Sequence, residues 1–326
     1  MPRLLTRYAL LAAAVLLLNF ALPRLLPGDP LDAESSEGMN AAVPTLTAEA
    51  RAQLRATYGL DRPLADQFVA YVRDLARGDL GWSISEAAPV SRLIAERLPW
   101  TLGLMLTSLL VAGGGGVLLG LLGAWRGGRL DRIVVGVSSA LAAIPEFLVA
   151  MALLVALAVG GGWFPLHGGR TAFAPRPTGP LGLLDALADI TWHLALPTLT
   201  LTLASLAAFV LLSRGAAGAV LAAPYLTTAR AKGLPEGRVA LSHAFPNALL
   251  PVLTLLGLRV GQVLGGAIVV ERVFSVPGLG RLAFEAVRAR DYPVLQAIFL
   301  LGSLGVLLVN LLLDLACRRL EPRYGT

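Results

Sequence analysis

Residues 224–251 read PYLTTARAKGLPEGRVALSHAFPNALLP and lie between two long apolar segments with the length and composition of membrane spans. The stretch carries Arg230, Lys232, Glu236, Arg238 and His243, with hydroxyls at Thr227 and Thr228, so it belongs in water. Pro224 suits the first turn of a short helix, Gly233 its left-handed end, and Pro235 the start of a second helix. The spacing predicts a helix, a turn and a helix projecting from the membrane face. Ala229 and Gly233 are four residues apart, which predicts a side nearly bare of side chains, flanked by Arg230 and Lys232, that another soluble surface can approach. An ordinary basic cytoplasmic loop has a similar composition, so charge alone leaves both a plain loop and a docking element open.

Working outward, the whole chain has a membrane composition: 56% of its 326 residues are hydrophobic, 15% are charged, and the mean hydropathy is +0.71. The apolar residues come in long unbroken runs instead of amphipathic stripes, which predicts a polytopic helical protein. The net charge is +6, and Lys232 is the single lysine, so nearly all positive charge is arginine. Those arginines are scattered between apolar runs and do not gather into a basic domain with stacking aromatics, which excludes a nucleic-acid binder. Cys317, the single cysteine, ends an apolar run and reads as a small packing residue.

Taken in order, residues 8–26 form the first apolar run, preceded by Arg3 and Arg7. No small-x-small cleavage site precedes Pro27, Gly28 and Asp29, so an uncleaved signal anchor with a cytoplasmic N-terminus is expected. Residues 27–98 are polar. Thr47 caps an expected helix over 47–58, and Pro63 opens another in which Leu64, Phe68, Val72 and Leu75 line one face before Gly78. Trp82 and Trp100 suit interfacial anchors.

Further spans are expected at about 100–124, containing the glycine run 113–116, and at 133–159, 191–212, 248–270 and 294–316, with a Gly- and Pro-rich outer loop at 160–190. Arg126, Arg129 and Arg132 against Asp131 mark one loop cytoplasmic, and Arg318, Arg319 and Arg323 hold the C-terminus inside. Arg281, Arg288 and Arg290 run against the charge rule, but the parity of the runs and the stronger inner bias outweigh them. The expected fold is all-α, with six transmembrane helices, both termini cytoplasmic, and a helical extracytoplasmic insertion after the first span.

Catalytic constellations are missing from the sequence. Lys232 is not preceded by the glycine spacing of a phosphate-binding loop, so the chain has no P-loop for ATP. His167, His193 and His243 are dispersed without an H-x-x-x-H pair, and no metal site is expected. Ser303, in LLGSLG, lacks a matching intramembrane histidine and reads as packing, so no enzyme is expected. Glu146 and Arg259 stand out by depth: each falls near the middle of its span, where a lipid-facing charge costs about 3 kcal/mol or more, so both must face inward. They are candidates for a translocation path or for a structural ion pair. Asn310 and Asp314, near the inner end of the last span, are weaker candidates that suit contacts with headgroups or neighbouring helices.

The opening stretch resembles the cytoplasmic EAA loop of ABC-importer permeases, whose pattern is E-A-A, three residues, Gly, nine residues, then I-x-L-P. Thr227, Thr228 and Ala229 occupy the first three positions, Gly233 the glycine, and residues 243–246 the last four. Thr227 replaces the acidic residue, but the oligopeptide/dipeptide branch reads R-T-A-R-A-K-G-L here, and residues 228–234 match that version throughout. The branch's H-A-x-x-N-A-L-x-P matches residues 243–251, its G-D-L-G-x-S residues 78–83, its E-x-V-F-S-x-P-G-L-G residues 271–280 and its R-D-Y-P residues 290–293. The resemblance runs from L-P-G-D-P at 26–30 to Pro322, leaving only the loop at 160–190 unmatched.

The resemblance implies a transmembrane anchor at 1–26, an extracytoplasmic helical region at 27–98, a five-span permease core at 99–318 with the coupling loop at 215–247, and a cytoplasmic tail at 319–326. It implies that Tyr225, Thr227, Thr228, Ala229, Arg230, Ala231, Lys232, Gly233 and Leu234 couple to an ATPase. It further implies a second homologous permease, two cytoplasmic ATPases that use the ATP and Mg, an extracytoplasmic substrate-binding protein, no cofactor of the chain's own, and the cytoplasmic membrane of a bacterium or archaeon. The substrate class would be di- and oligopeptides, with nickel, glutathione or another small solute as alternatives. An autonomous channel or secondary transporter is the alternative from another class; it calls for inverted repeats or several paired midplane ions, which the sequence lacks.

Overall fold

The computed structural model describes residues 2–25, 63–83, 85–173 and 179–320. The expected exit at 26–30, the helix at 47–58 and the residues from 321 onward lie outside the described residues. In chain order the elements are α1 (Pro2–Leu25), α2 (Leu64–Ala76), the short strands β1 (Trp82–Ser83) and β2 (Ala88–Pro89), α3 (Val90–Arg126), α4 (Gly128–Ala142), and α5 (Glu146–Leu153), which continues as a π-helical stretch over Leu154–Gly160. Then come α6 (Gly179–Leu221), α7 (Pro224–Ala231), α8 (Glu236–Val239) with a π-helical stretch Ala240–Ala244, α9 (Phe245–Ala248), α10 (Leu250–Val273), α11 (Leu279–Ala289) and α12 (Tyr292–Leu320). Among the described residues four helices are long and apolar enough to cross a membrane, or up to six spans if two bent pairs each count as one.

The chain divides into two compact units, residues 1–97 with 282–307, and residues 98–281 with 308–326. In the first, α2 starts after Pro63 with Asp66 in its first turn, where a carboxylate offsets the partial positive charge of the helix end. Phe68 meets Phe20 of α1 edge to face at 5.2 Å between ring centroids. Asn19, buried on an apolar helix, is satisfied by donating to Tyr71 Oη and to the Gln296 carbonyl, each at 3.0 Å. The inner face of α2 is thus carried by Phe68 and Tyr71. Leu64, expected on that face, is exposed instead, in the first turn of the helix.

The β1–β2 ribbon pairs Trp82 with Pro89 and Ser83 with Ala88. Its turn is held by Asp291, fully buried, which accepts from Ser83 Oγ at 2.6 Å, Ser85 Oγ at 2.7 Å and the Ser85 N–H at 3.0 Å. Charge-assisted donors of this kind are what a buried carboxylate requires.

In the second unit α6 packs against α4, α5 and α10. A cluster of Met105, Leu109, Ala112, Phe209 and Val252 joins α3, α6 and α10. Within the glycine-rich part of α3 the roles differ. A Cβ at Gly116 or Gly120 would run into Phe209 and Val210 or into Ser213 and Val210, whereas one at Gly114 would meet nothing within 4 Å. Gly116 and Gly120 form the small-xxx-small face by which α3 approaches α6.

Two expected segments differ in local structure. The segment expected as a single span at 133–159 bends by 96° between α4 and its continuation, because Pro145 cannot donate the hydrogen bond that would carry the helix through. The outer loop expected to reach residue 190 ends earlier: α6 begins at Gly179, and Asp189 on it accepts from Thr171 N–H at 2.8 Å and Thr171 Oγ1 at 2.6 Å, closing the loop. Trp100 packs against a cluster that includes Leu104, Leu196 and Phe274, and its ring covers Gly169.

The signature at 271–280 wraps around one carboxylate. Glu271, fully buried, accepts from Thr101 Oγ1 at 2.7 Å and from the Arg281 N–H at 2.9 Å, while Thr101 Oγ1 accepts from the Leu279 N–H at 2.8 Å. Arg281, one of the arginines that oppose the charge rule, donates from its guanidinium to the Ser275 carbonyl at 3.3 Å.

Candidate functional site

The hairpin between α6 and α10 forms because each punctuating residue does one local job. Pro224 occupies the first turn of α7, where its missing N–H is not needed, after Ala223 in extended backbone. Gly233 takes φ +75°, and a Cβ there would meet nothing within 4 Å, so glycine answers to backbone conformation alone. Pro235 precedes α8 in extended backbone, as expected.

The hairpin has its own core. Leu226, Ala229, Val239 and Ala244 are buried together, with Val220, Leu221, Leu234 and Phe245 packed around them. Complete burial of the Leu226 side chain alone is worth about 1.5–3 kcal/mol. Polar bonds bind its two halves: Asn247 Nδ2 donates to Tyr225 Oη at 3.0 Å and to the His243 carbonyl at 2.9 Å, and Tyr225 Oη donates to the same carbonyl at 3.2 Å. Arg230 Nε donates to Glu236 Oε1 at 2.9 Å across the turn. The downstream half of the motif is therefore a brace for α7, a role that spacing alone did not indicate.

This geometry corrects the expected bare side. Ala229 is 5% exposed and faces the hairpin's own core, so its small size serves internal packing beneath Val239 and not the approach of a partner. The outward surface is made by Tyr225, Thr227, Thr228, Arg230, Ala231, Lys232 and Gly233, all exposed, while Leu234 is half-buried. These are short polar or small groups together with the cations Arg230 and Lys232, held on the hairpin's own core.

The intramembrane candidates lie in the larger unit. Glu146 is the first residue of α5, immediately after the bend, and Arg259 lies on α10, which packs against α5. Glu146 Oε1 and Arg259 Nε are both buried without a hydrogen-bond partner. Asn310 lies against Gly257, so it contacts a neighbouring helix. His193 Nδ1 lies 2.9 Å from the Asp189 carbonyl at the start of its span.

Residues 116–326 match the family model described as the binding-protein-dependent transport system inner membrane component. The chain is 39% identical over 319 residues to a di/tripeptide transport system permease protein of Pseudomonas aeruginosa, covering 95% of this chain and 93% of the relative. It is 38% identical over 309 residues to a glutathione transport system permease protein of Pectobacterium atrosepticum, covering 94% and 92%. It is 35% identical over 305 residues to a probable peptide ABC transporter permease protein of Sinorhizobium fredii, covering 93% and 92%. By the match over residues 116–326 and by these near full-length likenesses, the chain belongs to the family of inner-membrane components of binding-protein-dependent transport systems.

Proposed function

We propose that this chain is one membrane-spanning permease subunit of an ATP-driven importer that moves di- and oligopeptides across the bacterial cytoplasmic membrane. The observation that carries the reading is the braced hairpin 224–248 set between two apolar helices, with its exposed residues on a rigid core. A surface built that way transmits a push. Here the push comes from a pair of cytoplasmic ATPases, whose closure moves the hairpin and rocks this subunit against a second permease, alternating access to a central cavity. An extracytoplasmic binding protein delivers the solute.

In this reading the chain crosses the membrane six times, each bent pair counting as one span, with both termini cytoplasmic and residues 27–98 outside. Residues 225, 227, 228 and 230–234 contact the ATPase around the buried Ala229, and Glu146 and Arg259 line the path. Glutathione, itself a tripeptide, is a second substrate favoured by the likeness to the glutathione permease of P. atrosepticum.

The reading is tested in cells lacking this chain. Re-expression is expected to restore uptake of radiolabelled alanyl-alanine or glutathione, and replacing the P-loop lysine of the partner ATPase is expected to abolish it. Uptake that survives loss of the ATPase supports an autonomous carrier, and restored uptake of neither peptide removes the peptide assignment.

A further inference from the structure

We propose, building on the peptide-importer reading, that Glu146, Thr202 and Arg259 form a site for a zwitterionic solute, with Glu146 taking its ammonium group and Arg259 its carboxylate. Among the described residues, the buried side-chain atoms without a hydrogen-bond partner are Glu146 Oε1, Thr202 Oγ1, Arg259 Nε and His243 Nδ1. His243 belongs to the hairpin. The other three lie on α5, α6 and α10, helices that pack on one another pairwise.

Thr202 supplies independent support. It is 6% exposed, and a hydroxyl so placed on a helix ordinarily bonds back to its own backbone. Thr200 does so to Leu196 at 2.9 Å, as does Ser213 to Phe209 at 2.5 Å, but the Thr202 hydroxyl has no such bond. Its neighbour Leu201 shares a cluster with Ala150, which stands one turn beyond Glu146 on α5.

Glu146 and Arg259 lie on helices that pack together, yet no nitrogen–oxygen distance of 4.0 Å or less joins them among the described side chains. A structural ion pair would close that gap, since burying opposite charges is tolerable only with good mutual geometry. Opposed charges held apart suit a solute that brings one charge of each sign. A neutral or singly charged solute would leave one buried ion without a counterpart. The backbone agrees: a span broken by 96° beside Glu146 is the form taken where a membrane helix is enclosed by protein or lines a cavity, and broken spans carry the sites of many transporters.

The test uses the complete importer with its ATPases and binding protein in proteoliposomes. Glu146→Gln and Arg259→Gln are each expected to lower uptake of radiolabelled alanyl-alanine about tenfold or more while the ATPase subunits still co-purify. A second measurement uses the unaltered importer and dipeptides carrying p-benzoylphenylalanine at one end. The amino-terminal probe is expected to label α5, and the carboxy-terminal probe α10. Both Gln variants within about twofold of an active parent, or labelling of neither helix, overturns the site and leaves the importer reading intact. Should the variants fail to assemble, the labelling pattern decides alone. A parent importer that takes up no peptide refutes the importer reading itself.

Discussion

At Gly278 an added methyl group would run into the buried carboxylate of Glu271, which already holds Thr101 and the Arg281 N–H. Neither group can yield, because Glu271 is anchored at both oxygens and Gly278 is fixed by its N–H to the Val276 carbonyl at 2.9 Å. Gly278→Ala is therefore expected to cost more than about 2 kcal/mol, and Thr101→Val, which leaves Glu271 Oε1 and the Leu279 N–H without their shared partner, about 1–3 kcal/mol. Thermal unfolding of the purified complex in detergent checks both, with Thr101→Ser as the variant expected to stay near the parent. At the same scale, Asp291 shows what the R-D-Y-P signature is for. Its carboxylate is the acceptor that shapes the turn after β1, which accounts for the aspartate of the motif. Sequence patterns located both carboxylates, but their partners are 170 and 208 residues away, and no local spacing encodes that.

At the scale of elements, the approach of α3 to α6 depends on Gly116 and Gly120 and hardly on the rest of the glycine run. Gly120→Ala is expected to separate the helices and lower the melting temperature of the complex, at a cost of about 1–3 kcal/mol. Gly114→Ala, with open space around it, is expected to leave stability unchanged or to raise it slightly through the better helix propensity of alanine. Equal effects at the two positions would contradict the packing. The run at 113–116 was legible as a close-contact signal, yet Gly120, outside the run, faces the tightest neighbours, because a helix turns about 100° per residue and only one stripe meets its partner. The hairpin was the element most legible in advance: Pro224, Gly233 and Pro235 act locally, and local chemistry survives the reading of a single sequence. The covered side of α7 is not readable this way, since it depends on Leu221 arriving from before the helix and Val239 and Phe245 from after it.

For the molecule as a whole, the hairpin is expected to stand against a nucleotide-hydrolysing neighbour. Because Ala229 is buried, the positions to probe are Thr228 and Ala231. Single cysteines there are expected to crosslink to the ATPase subunit in cells, whereas one at Ala229 is expected to react slowly or not at all. A crosslink at Ala229 stronger than at Thr228 would show that the hairpin unfolds its core on docking. The sequence by itself determined the membrane class, the apolar segments, the hairpin with its prolines and glycine, and the family resemblance, all of which rest on composition and short spacing. Tertiary structure alone decided that Ala229 faces inward, that Glu271 takes Thr101 as a partner, and that Asp291 holds the turn after β1. The reason is physical: backbone preference and hydropathy act within a few residues, while the burial of a side chain and the partner of a buried charge are fixed only when distant segments pack.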